Sequence, residues 1–181
     1  MRDLAEQHAH HSILRERILE HWLVGEIMRR LWMAGRTDIE VLRSEFDRGG
    51  YDLLLDLGGA VRHVQLKASR KAGTTAEVTV SLELARRPSG CVIWVVVADD
   101  LRLDHFRWFG GAPGEPLGDI AELKFAKQTR ANVLGVKAEK PNFRRLPASL
   151  FARLDDVDDL LDRLFSTAWR DRPEPKTVAG D

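Results

Sequence analysis

Between Ile13 and Ala34 apolar residues return every four positions. Leu19, Leu23, Ile27 and Leu31 form one row, and Ile18, Trp22 and Trp32 widen it. That period predicts a long helix burying one stripe, with Gly35 as its stop. The pattern then changes. Thr37 to Phe46 alternates well enough for a strand, and Asp47-Arg48-Gly49-Gly50 turns the chain. Leu53, Leu54, Leu55 and Leu57 make an apolar run, Gly58-Gly59 supplies a tight turn, and Val61, Val64 and Leu66 lead back. This predicts a β-hairpin. Beyond a small basic loop, Ala68 to Thr75, and the short stretch AEVTVS, the segment LELARRP reads as a helix closed by Pro88 and Gly90. Cys91 to Ala98 is apolar throughout, as a strand buried on both faces requires. His105 to Phe109 reads as a further strand and Gly110 to Gly118 as a loop. Pro147 to Phe165 reads as a closing helix, striped by Leu150, Leu154, Val157, Leu161 and Leu164.

A buried strand reached through a helix predicts an α/β fold: a mixed central sheet flanked by helices, with a C-terminal helical extension. The 181 residues fit one domain over 1–170, with a core at about 13–109 and the extension at 110–170. Pro173 and Pro175 mark residues 171–181 as a tail expected to be disordered. The net charge is zero, so attraction to nucleic acid has to come from a local patch. Cys91, the only cysteine, cannot form an internal disulfide and reads as a buried thiol. No apolar run is long enough to span a membrane, and MRDLAEQHAHH has no signal-peptide core, which points to the cytoplasm. The histidines His8, His10 and His11 read as part of a solvated, mobile end. The aspartates between Asp155 and Asp162 read as a solvated helix face, their spacing fitting no calcium loop.

Candidate chemistry concentrates on the hairpin. Asp52 opens its first strand, and Gln65 and Lys67 lie near the exit of the second. Period two puts Gln65, Lys67 and His63 on one face and Val64 and Leu66 on the other. Asp56, four residues past Asp52, shares a face with it and either assists or is simply exposed. A carboxylate, an amide oxygen and an ammonium group at one end of a hairpin are costly in a core. They suit a divalent metal held beside a phosphodiester.

This pattern resembles the PD-(D/E)XK nuclease superfamily, which includes restriction endonucleases, junction resolvases and repair nucleases, in its Q-x-K form. Tyr51 stands where the family name has Pro, and Gln65 where Asp or Glu is usual. The resemblance runs from about Glu26 to Asp99. It implies a restriction-endonuclease-like fold and a Mg²⁺-dependent endonuclease, with Mn²⁺ as a substitute. It also implies that Asp52 and Gln65 ligate the metal and that Lys67 orients or activates the attacking water. The family often carries a further acid on its first helix, about ten residues before a Gly. Glu26, followed by Gly35, is the match, and Glu20 is its rival.

A second region bears on the partner. Lys124, Lys127, Arg130, Lys137, Lys140, Arg144 and Arg145 crowd a segment where Gly135 and Pro141 argue against one continuous helix. Such a segment can contact phosphates, or it can be a solvated surface. The partner expected is nucleic acid, DNA ahead of RNA, and a homodimer or a place in a larger protein complex is compatible with the pattern. The rival reading is a nucleic-acid-binding module or subunit with a nuclease fold and no catalysis, which Gln65 keeps open.

Overall fold

The structure, a computed structural model, describes residues 4–46, 49–128 and 137–171. Two helices lead the chain, α1 (Leu4–His10) and α2 (Ser12–Met33). The apolar row of α2 is buried as the period predicts, at Leu19, Leu23, Val24, Ile27 and Leu31. Gly35, at φ +76°, ends it. Its amide donates to Trp32 O, and that of Arg36 donates to Leu31 O, both at 2.9 Å. Those two bonds are the Schellman closure that a left-handed glycine allows.

Three strands follow: β1 (Ile39–Arg43), β2 (Leu53–Leu57) and β3 (Ala60–Arg70). Gly58 and Gly59, at φ +59° and +94°, form the two-residue turn between β2 and β3. Positive φ at both positions matches the twist of the flanking strands, which is why glycine stands there twice. Then come β4 (Glu77–Ser81), the four-residue α3 (Leu82–Ala85), β5 (Gly90–Val97) and β6 (Leu103–Gly110). After them lie β7 (Phe125–Lys127), β8 (Glu139–Pro147), β9 (Ala152–Leu154) and α4 (Val157–Phe165).

Six strands form one mixed sheet in the order β1-β2-β3-β5-β6-β9. β3 and β5 run parallel and the other neighbours antiparallel. Helices α2 and α4 pack on one face, over Leu53, Leu55, Val64, Ile93 and Val95. Arg30 of α2 and Asp158 of α4 lock the two helices with a forked pair, Nε to Oδ1 at 2.6 Å. The other face carries a second sheet, β4-β8-β7, whose Val78, Val80 and Leu146 cover Val92, Trp94 and Val96 of β5. All eight residues of β5 are therefore buried, from both sides.

The architecture is the mixed α/β one expected, with three local corrections. On the second face the cover is chiefly a sheet, with α3 only one turn long. AEVTVS supplies its strand β4, and the basic segment supplies β8. The closing helix also starts ten residues later than Pro147. Ala148–Leu150 is a 3₁₀ turn, Leu150 is exposed, and Leu154 belongs to edge strand β9, so the extension is only partly helical. Finally, the amino-terminal histidines are not all solvated. His8 is buried, and its Nε2 lies 2.8 Å from Asp99 O, tying α1 to the turn after β5. Residues 172–181 of the expected tail lie outside the described residues.

Arg62 is the largest polar exception in the interior, with no exposed surface. It donates to the carbonyls of Gly111, Ala112 and Arg163 at 2.9–3.3 Å and lies over the Trp108 ring. A guanidinium whose terminal nitrogens are met by carbonyls, its Nε buried without a partner, joins β3, the glycine loop and the last turn of α4. Cys91 lies beside it. Burial pushes that thiol up to about 12, with Arg62 opposing.

Candidate functional site

β3 has eleven residues and β2 five, so β3 continues past the point where its partner starts. Asp52 stands at that step. Its amide donates to Val64 O at 2.9 Å, continuing the ladder by one bond. Its carboxylate then accepts the Leu66 N–H at 2.7 Å, an amide that β2 is too short to reach. A short acidic side chain at the strand end thus takes the place of a missing ladder carbonyl.

At this step a cleft of about 420 Å³ opens. The first half of α2 contributes Glu16, Arg17 and Glu20, and the end of β1 contributes Arg43 and Ser44. Asp52, Leu66 and Lys67 form its floor, and Val78 and Thr79 of β4 close the far side. Three carboxylates and three cations line it, a balanced set.

Lys67 shares its face of β3 with Gln65, since their partners on β5 are Trp94 and Val92, both in the second core. Ser69, two positions on, accepts the Trp94 indole N–H at 2.9 Å. Gln65 itself is enclosed rather than lining the cleft. It is 4% exposed, and its Oε1 has no hydrogen-bond partner. A buried carbonyl oxygen left unmatched costs about 1–3 kcal/mol.

Glu26 does not reach this cleft. It lines a separate cavity with Trp22, Arg30 and Asp158 and is forked to Arg29, both bonds 2.7 Å. The Arg29 bond holds its carboxyl below the ordinary value, against partial burial. Glu20, with Glu16 one turn before it, is an acid of α2 that reaches the cleft. It is 8% exposed, accepting from Arg43 Nε at 2.7 Å and from Arg17 at 3.0 Å. A signal for this was present in the sequence: Glu20, Val24, Ile27 and Leu31 fall on one helical row, so an acid continues the buried stripe.

Other candidates have structural partners. Asp56 accepts the Gly59 N–H at 2.8 Å and serves the turn. His63 Nδ1 lies 2.7 Å from Pro88 O, with its ring edge-on to Tyr51. Asp158 and Asp162 are paired, the first with Arg30 and the second with Trp169 and Arg170.

The basic segment divides. Arg144 is buried, donating to the carbonyls of Ala121, Pro141 and Phe143 and lying over the Phe125 ring. Arg145 is paired with Glu77. Arg144 belongs to the second sheet rather than to a phosphate surface, whereas the Arg145 side chain is 39% exposed beside its partner. Lys124, Lys127 and Lys137 are exposed, and Lys140 lies 5.5 Å from the Phe143 ring centre. Arg130 lies outside the described residues.

Among the described residues no three His, Cys, Asp or Glu side chains gather as a metal cage. No helix among them is long and apolar enough to cross a membrane.

Neither a protein-family model nor a curated relative matches the chain. A solved structure, that of the bacterial homing endonuclease I-Ssp6803I, is similar at 29% identity, over 53% of this chain and 62% of that one. The chain thus spans less than two thirds of that protein. The TM-score is 0.31.

Proposed function

We propose that the protein is a metal-dependent nuclease hydrolysing phosphodiester bonds in nucleic acid, with DNA the preferred substrate. The observation that carries this reading is that Asp52, just ahead of β2, and Lys67, on β3, line one cleft at the step between the two strands. The oxygen donors fit a hard cation. Asp52 offers a carboxylate in the cleft, and Gln65, enclosed rather than lining it, offers an amide oxygen that lacks a partner, whereas both Glu20 oxygens are taken by Arg17 and Arg43. Mg²⁺ and Mn²⁺ take such oxygens and keep several waters, so a full protein cage is not required. When bound, the cation supplies Lewis-acid polarisation of the phosphate and a more acidic water.

The chain's own contributions follow from placement. The Leu66 amide fixes the Asp52 carboxylate, so one ligand is oriented before anything binds. Lys67 positions the attacking water or offsets charge growing on the phosphate oxygens. The balanced charge of the cleft keeps a polyanion from being held by attraction alone.

The test uses purified protein with plasmid, oligonucleotide DNA and RNA, in Mg²⁺ or Mn²⁺. Cleavage should vanish with chelator and with Asp52→Asn or Lys67→Ala, while melting temperatures of both variants stay near wild type. Wild-type cleavage that Lys67→Ala leaves intact would place the active site elsewhere. That no three His, Cys, Asp or Glu side chains gather among the described residues favours a second reading, a nucleic-acid-binding module without catalysis. Binding with no cleavage in either metal would establish that one.

A further inference from the structure

With Arg144 buried in the second sheet, gripping a nucleic-acid backbone falls to cations elsewhere. We infer that Arg17 and Arg43, held at the cleft by Glu20, form its phosphate-binding arm, an inference that rests on the nuclease reading for its choice of ligand. Both guanidinium groups line the same cleft as Asp52 and Lys67. Their side chains are 64% and 43% exposed, whereas that of Glu20 is 10% exposed.

One enclosed carboxylate therefore holds two exposed arginines, and the trio carries a net charge of +1. Glu20 engages Arg43 through Nε and Arg17 through one terminal nitrogen. A terminal nitrogen of Arg43 lies 3.4 Å from His21 Nδ1. Among the described residues, the remaining N–H donors of Arg17 have no protein acceptor. An arginine fork suits phosphate geometrically, and a carboxylate already engaged by both arginines competes with phosphate for their donors. The arrangement separates tasks. Asp52 and Lys67 face the scissile group, while the arm at the rim holds a phosphate farther along the strand and sets the register.

The experiment is fluorescence anisotropy of a short fluorescein-labelled DNA duplex, titrated at several salt concentrations in EDTA. Single-stranded DNA and RNA serve as parallel probes. Arg17→Gln and Arg43→Gln should each flatten the log–log salt slope by about 0.9, one duplex phosphate contact, and Arg43→Lys should restore most of it. Glu20→Gln frees both arginines from their carboxylate, so binding should tighten while the melting temperature drops. A merely structural trio would loosen binding instead.

If Arg43→Gln does not fold, Arg17→Gln and Glu20→Gln decide. Wild-type slopes in folded arginine variants, or weaker binding by folded Glu20→Gln, would overturn the arm. Because the series runs without metal, it is independent of cleavage. Unchanged slopes beside chelator-sensitive cleavage would remove the arm alone. Flattened slopes in a protein that never cuts would remove the nuclease reading and leave the arm standing.

Discussion

The carboxylate of Asp52 accepts the amide proton of Leu66 at 2.7 Å, across the step where β2 stops and β3 continues. One bond thus closes the strand end and aims an acid at the cleft. Fold and candidate chemistry share an atom pair, so changes here have to be judged on both.

Gln65 separates the two costs. Its Oε1 is buried and unmatched, so Gln65→Met, of similar size and apolar, should stabilise the fold by about 1 kcal/mol. The same change removes an oxygen donor and should abolish metal-dependent cleavage. Thermal melting and the plasmid assay measure the pair. A lower melting temperature would mean that the amide is satisfied after all.

Arg144 should act on stability and not on nucleic-acid binding. Arg144→Ala leaves the Ala121, Pro141 and Phe143 carbonyls without their donor and uncovers the Phe125 ring. The cost should be about 2–3 kcal/mol in urea unfolding. Exposed Lys124→Ala should stay within about 0.5 kcal/mol.

Asp104 gives a pH signature. Bonds from Lys71 and then His105 hold its carboxyl below its ordinary value of 3.8. A carboxyl depressed in the folded state contributes stability that is fully present above its unfolded value. That contribution is lost as pH falls through the lower folded value. The urea-midpoint gap between wild type and Asp104→Asn should therefore be constant near neutrality and shrink only below about pH 4. A gap that widened on acidification would reverse the sign and refute the assignment.

Some of this was legible in the sequence for plain physical reasons. The four-residue row of α2 and the Gly58-Gly59 turn are local signals, and each element forms where its own residues dictate. β8 was hidden because one of its two buried positions is an arginine, made tolerable by distant carbonyls and an aromatic ring. Leu150 and Leu154 mimic a helical row, yet one is exposed and the other pairs with Phe106 in a strand. At the site, Asp52 and Lys67 were readable because a hairpin fixes its own register. The choice between Glu20 and Glu26 depends on which side of α2 meets β1 and which meets α4, and that is tertiary information.

The forked pair between Arg30 and Asp158 joins residues 128 positions apart, and Arg36 reaches the Ala168 carbonyl across 132. The first long helix therefore leaves the ribosome well before the parts that fasten it. Until α4 emerges, its apolar row and the companion strands have to wait with their surface uncovered. Such distant pairing slows folding, since loop closure precedes any reward from contact. Refolding should be slow for a chain of this length, and a nascent chain ending before α4 should be bound by chaperones.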